Sequence, residues 1–90
     1  MDLSFADFTG CNLERADFRE AKLEGAKLVG SNLERADLRY ANASHADFRE
    51  SNMERVDLDQ ARIDGASFAS ANMDGVRGKP AGSPSSGPYR

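Results

Sequence analysis

Large apolar residues recur at every fifth position of this chain: Leu3, Phe8, Leu13, Phe18, Leu23, Leu28, Leu33, Leu38, Ala43, Phe48, Met53, Leu58, Ile63, Phe68 and Met73, with Ala43 the one small exception. Two residues ahead of each lies a small or modest side chain, as in Ala16, Ala21, Ala26, Ser31 and Ala36, and the residue between the two is polar in every unit. On an α-helix a step of five turns through about 140°, so these residues would scatter around the axis and form no stripe. On a flat strand successive large residues would alternate between opposite sides. Within one unit, however, the small and the large residue are two apart and share a side. The pattern therefore predicts short extended segments, each followed by a corner.

A longer period confirms the corners. "NLERADFRE" from Asn12 returns as "NLERADLRY" from Asn32, as "NMERVDLDQ" from Asn52, and in part as "NMDGVRG" from Asn72. If four units close one coil, residues twenty apart stack, with backbones paired in parallel at the ~4.8 Å spacing of hydrogen-bonded strands. Four inner columns follow, headed by Leu3, Phe8, Leu13 and Phe18. Ala43 between Leu23 and Ile63 reads as a packing defect in its column. Outside, Asn12, Asn32, Asn52 and Asn72 form a ladder in which amides can bond to one another, Glu14, Glu34, Glu54 and Asp74 form an acidic one, and Arg15, Arg35 and Arg55 run beside it. The alternation of acid and base predicts a mutually neutralised, solvated surface.

The units "ADFRE", "AKLEG", "ADLRY" and "ANMDG" resemble the A(D/N)LXX repeat of the pentapeptide repeat proteins, over residues 1 to about 76. The resemblance implies an all-β fold, a right-handed quadrilateral β-helix of just under four coils; the handedness comes from the resemblance alone. It also implies two functional alternatives. One is a non-catalytic structural or protein-interaction module; the other is a DNA mimic that inhibits DNA gyrase or another DNA-binding protein.

Composition changes the picture at the C-terminus. Residues 1–76 hold all 15 acids and 9 of the 12 bases, whereas residues 77–90, "RGKPAGSPSSGPYR", hold three bases and all 3 prolines. The expected organisation is a repeat domain over 1–76 and a flexible basic tail over 77–90. No apolar run reaches membrane-spanning length and no basic, apolar leader opens the chain, so the expected location is cytoplasmic, with no membrane or direct nucleic-acid binding. The single cysteine, Cys11, falls at an inward position and reads as a packed thiol. With one cysteine and one histidine, His45, at a corner, the sequence gives no catalytic, metal or cofactor site.

The contact candidates are therefore surface residues: Glu14, Glu34, Glu54 and Asp74 in the acidic ladder, with Phe5 and Tyr40 as outward aromatics, for an unidentified protein partner. The repeat starts at Met1 with no capping segment ahead of it, which leaves Leu3, Phe5, Phe8, Leu13 and Phe18 as candidates for an end-to-end homodimer. The tail is expected to fold over Phe68 and Met73. Because a period of five forbids a helical apolar stripe, circular dichroism should show β-structure with almost no helix; a substantial helical signal would overturn the fold.

Overall fold

The computed structural model describes residues 2–84, and the chain winds as a four-sided coil. The second residue of each unit pairs in parallel with the residue twenty further on, from Asp2 with Lys22 through Asp17 with Asp37 to Asn52 with Asn72. Each side contributes only one such paired residue, because a corner follows every three extended residues; no helix forms among the described residues. The first face comprises 2–5, 21–25, 41–45 and 61–65, and the second, third and fourth faces follow in steps of five. The described body measures 25 × 20 × 20 Å.

The backbone accounting of one unit, 31–35, explains the repeat. Ser31 donates its N–H across the preceding corner to the Leu28 carbonyl, Asn32 donates back to Cys11, and Leu33 and Arg35 donate forward to Asn52 and Glu54, at 3.2, 2.9, 2.7 and 2.8 Å. That leaves the N–H of Glu34. The Asn32 side chain accepts it through Oδ1 at 3.1 Å, closing an Asx-turn. Eleven units repeat this bond with Asp or Asn at the second position, from Asp2 to Asn72. Lys22, Lys27 and Arg62 occupy the same position and offer no acceptor. The expected amide-to-amide ladder is correspondingly thin: Asn72 reaches Asn52 at 3.5 Å, while the asparagine oxygens are directed to their own turns.

Every corner places its fifth residue at positive φ, including ten residues that are not glycine, such as Phe5, Arg35, Tyr40 and His45 at 60–63°. Positive φ at the third residue of a turn alone is the mark of type II geometry. It costs a side-chain-bearing residue roughly 1–2 kcal/mol, and it persists because the ladders on both sides of the corner over-determine it. Glycine is needed where a ring fills the space above a corner. A Cβ on Gly25 would meet the Phe5 ring, and one on Gly65 the His45 imidazole.

The inward columns form the core. Leu23, Leu28, Leu33, Leu38, Phe48, Met53, Leu58, Ile63 and Phe68 are fully buried, each worth about 1.5–3 kcal/mol of transfer free energy. Phe48 and Phe68 stack with ring centroids 5.1 Å apart, whereas Phe8 and Phe18 meet edge-on at 6.1 Å. Ala43 is inside with no exposed surface, and the inward hydroxyls of Ser31 and Ser51 donate to the carbonyls of Leu28 and Phe48. Cys11 corrects the sequence reading: it holds an inward register position but is exposed, because it lies in the first coil, beyond which the described chain stacks nothing.

The tail is a second correction. Residues 77–83, expected to be flexible, continue the ladder: Arg77 pairs above Asp57 and donates to the Val56 carbonyl, and Ala81 pairs above Arg62 with the register shortened by one residue. Asp59 and Asp64 accept the N–H groups of Lys79 and Ser83 at 3.0 and 3.2 Å. A segment poor in apolar residues orders here because an open ladder edge supplies backbone partners without requiring apolar burial. This pairing covers the first and fourth faces of the last complete coil, not the Phe68 and Met73 positions. The remainder of the expected tail, 85–90, lies outside the described residues, as does Met1.

Two substitutions test the role of the Asx acceptor. Asn52→Ala strands the Glu54 N–H and should cost about 1 kcal/mol, a fall of roughly 4–8 °C in melting temperature for a chain this size. Lys22→Asn supplies the acceptor that the Glu24 N–H lacks and should raise the melting temperature; equal melting temperatures for all three proteins would disprove the role.

Candidate functional site

Charged side chains at the second and fourth positions of a unit lie two apart on the same side, so an Asp–x–Arg unit closes an ion pair on itself. Arg19 binds Asp17 at 2.8 Å and also approaches Asp37 at 3.9 Å; Arg39 repeats this with Asp37 at 2.7 Å and Asp57 at 3.8 Å. The fourth face thus carries an alternating zipper up the coil. Arg49–Asp47 and Arg62–Asp64 are single links of the same type on the second and first faces, each at 2.7 Å. The neutralisation predicted for the third face is therefore found elsewhere. Among the described residues, no ion pair joins Glu14, Glu34, Glu54 or Asp74 to Arg15, Arg35 or Arg55 within 4.0 Å. Corner residues leave the coil in the left-handed conformation and diverge from the flat of the face.

The zipper sets the titration of its acids. The Arg19 guanidinium, with the Arg19 N–H behind it, holds Asp17 down to about 2. Arg39, Arg49 and Arg62 hold Asp37, Asp47 and Asp64 below the ordinary carboxylate range in the same way. Asp2 and Asp7 are lowered chiefly by the turn groups of Ser4 and Thr9.

The candidate contact residues do not converge. Glu14, Glu34, Glu54 and Asp74 align on the third face, Tyr40 is 61% exposed at the corner between the fourth and first faces, and Phe5 is 75% exposed at the corner between the first and second faces, lying over Gly25. Leu3, Phe8 and Leu13 are half-buried at the open first coil, whereas Phe18 is only 5% exposed. The sequence reading missed a cleft of about 560 Å³ on the fourth face, lined by Arg35, Ala36, Asp37, Arg39, Arg55, Asp57 and Arg77. A second hollow, lined by Asp17, Arg19, Glu20, Arg39 and Tyr40, shares Arg39 with it. The signal was present in the twenty-residue stacking of Arg35 on Arg55, but the fourth wall, Arg77, had been assigned to the tail. Among the described residues, no group of three His, Cys, Asp or Glu is placed to hold a metal ion, and no helix is long and apolar enough to cross a membrane.

The comparisons agree with this geometry. The sequence matches the pentapeptide repeats in eight copies over residues 2–35, 16–55 and 44–77, and the chain belongs to the pentapeptide repeat family. That family is generally non-catalytic, and its fold is the quadrilateral β-helix. The chain is similar to HetL, a pentapeptide repeat protein involved in heterocyst differentiation regulation in the cyanobacterium Nostoc sp. strain PCC 7120, with 32% identity and a TM-score of 0.59 over 84% of this chain and 38% of HetL. It is also similar to a pentapeptide repeat protein of the cyanobacterium Cyanothece 51142 (28% identity, TM-score 0.49, 91% of this chain and 60% of that one). A third similar structure is a pentapeptide repeat protein of the Arabidopsis thaliana thylakoid lumen (37% identity, TM-score 0.41, 83% and 63%). The chain thus spans less than two thirds of each of these proteins. The search of curated proteins finds no match.

The depressed carboxylates predict an acid-sensitive stability. Groups whose pKa is lowered by folding stabilise the protein above their unfolded value near 3.9 and lose that contribution as pH falls through the folded value; for Asp17 the window runs from about 4 down to about 2. Melting temperature should therefore fall steeply below about pH 4, and less steeply in an Arg19→Ala, Arg39→Ala variant. Parallel curves for the two proteins would show that the zipper is not the source.

Proposed function

We propose that this chain is a non-catalytic protein-interaction module, a rigid four-sided rod that displays columns of polar side chains to a protein partner. The observation that carries this reading is the division of labour within the unit. The ladder and the Asx acceptor commit the backbone, the inward positions commit the core, and the fourth and fifth residues remain as columns fixed at strand spacing. Of these columns, the Glu14, Glu34, Glu54 and Asp74 carboxylates stack like charges without an ion pair of their own among the described residues, and a cationic partner surface relieves that repulsion. HetL's involvement in regulating heterocyst differentiation is in keeping with a module that acts by contact.

The alternative, a DNA mimic acting on gyrase, draws support from the acidic body of the chain. The zipper weighs against it: Arg19 and Arg39 engage the Asp17, Asp37 and Asp57 column that a mimic would keep free.

Immobilised protein exposed to a lysate of its source organism should retain a partner that elutes as salt is raised and that a Glu34→Gln, Glu54→Gln variant fails to hold. Equal retention by both proteins would sink the acidic column as the contact. In a supercoiling assay the protein should leave gyrase active at roughly tens of micromolar, a concentration at which specific partners normally bind; inhibition there would favour mimicry.

A further inference from the structure

The lining of the cleft on the fourth face has more guanidinium groups than carboxylates: Arg35, Arg39, Arg55 and Arg77 against Asp37 and Asp57. Arg39 is already engaged, at 2.7 Å with Asp37 and 3.8 Å with Asp57. Arg35, Arg55 and Arg77 have no counter-charge within 4.0 Å among the described residues.

The frame sets where these three side chains leave the backbone. Arg35 and Arg55 occupy successive corner positions of one column, both at φ 61°. The Arg55 stem lies against Gly75, whose missing side chain gives it room, with Cγ 3.1 Å from where a Cβ would sit. Arg77 is set over Asp57 by backbone pairing, the same pairing that orders the start of the expected tail.

Three unpaired guanidiniums converging on one hollow repel each other and present planar forks of N–H donors, the geometry that matches a phosphate or carboxylate oxyanion. The surroundings decide the size of that anion. The chain has a net charge of −3, and the acidic column containing Glu34 and Glu54 runs along the adjoining face. A long polyanion such as nucleic acid would run against that column, while one compact group of high charge can sit among the arginines, with Asp37 and Asp57 already engaged by Arg39. A phosphate on a side chain is such a group, with about −1.5 to −2 charge and three acceptor oxygens. The adjoining hollow, which shares Arg39 and ends at Tyr40, leaves a path along the face for the residues flanking it.

We propose that the cleft formed by Arg35, Arg55 and Arg77 docks a single phosphorylated serine or threonine of a protein partner. This rests on the reading of the chain as an interaction module and names the chemistry of one of its contacts.

The test is fluorescence anisotropy with four short labelled probes: a peptide with one central phosphoserine, its serine and glutamate counterparts, and a single-stranded oligonucleotide of similar length. The phosphopeptide should bind at least about tenfold more tightly than the serine peptide, and the difference should shrink as salt rises. Arg35→Ala with Arg55→Ala should abolish that preference at an unchanged melting temperature. Arg49→Ala, which removes an arginine engaged with Asp47 on another face, should leave it intact. Equal binding of the phosphoserine and serine peptides, or a preference that survives the double substitution, overturns the proposal. A glutamate peptide that binds as tightly replaces phosphate with carboxylate as the ligand, and an oligonucleotide that binds as tightly replaces the peptide with nucleic acid; either result overturns it too. A partner retained from lysate by the Arg35→Ala, Arg55→Ala protein as well as by the wild type would overturn the cleft and leave the interaction module standing.

Discussion

The structure depends on one backbone shortfall. A four-sided coil with a corner every fifth residue satisfies four N–H groups of each unit with carbonyls and leaves the fourth residue's N–H facing outward. The cheapest remedy is a short side chain two residues earlier that carries an acceptor, and Asp and Asn are the residues that reach. The polar second position is therefore part of the frame, although it lies outside the core. This requirement places a carboxylate in the middle of each face wherever the residue is Asp. Stacked at strand spacing, such carboxylates repel, and an arginine two residues on is the local solution, as in Asp17–Arg19 and Asp37–Arg39. The zipper follows from the turn chemistry.

The coil was legible in the sequence because its two periods leave no other solution. Leu23, Leu28, Leu33 and Leu38 cannot share a side of a helix or of a flat strand, and the twenty-residue echo of "NLER" fixes the circumference. The corner conformation was not legible. Arg35 and Tyr40 are poor candidates for positive φ by local preference, and they adopt it because pairing on both sides leaves no other path. The Asx-turns were hidden for a related reason: Asn12, Asn32, Asn52 and Asn72 look like a ladder when written in columns, and only the backbone accounting shows that each oxygen is directed to its own unit.

Charge was read one residue out of place. Glu34 and Arg35 are neighbours in sequence, and proximity along the chain suggested that they neutralise each other. Both lie in the corner, where Arg35 turns to positive φ and diverges from Glu34, whereas the second and fourth residues of a unit face together. The pairs that form are accordingly Asp37 with Arg39 and Asp47 with Arg49. The error hid the cleft as well, since arginines spent on glutamates would leave nothing to line it. The reading of residues 77–83 failed on different physics. Composition measures the apolar area a segment can bury, and this segment is ordered by hydrogen bonds to an edge that already exists: Gly78 passes so close above Asp59 that a Cβ would collide with its backbone.

The assignment of 77–83 to the coil matters for what the surface can do. With a free tail, Arg77 would be a mobile charge and the fourth face would end at Asp57 and Asp59, an acidic rim. With the segment paired, Arg77 stands in register above Asp57 and becomes the upper wall of a basic cleft. One short stretch of backbone pairing thus changes the sign of the field at the top of this face. The same argument separates the two polar surfaces. The acidic third face is continuous from the first unit to the last and suits an extended cationic surface. The basic cleft is closed above by Arg77 and bordered on one side by the acidic column, and it suits a single compact anion. If the proposed contacts form, a rod whose adjacent sides carry opposite charge would hold one partner at two points or two partners at once, at a distance set by the coil.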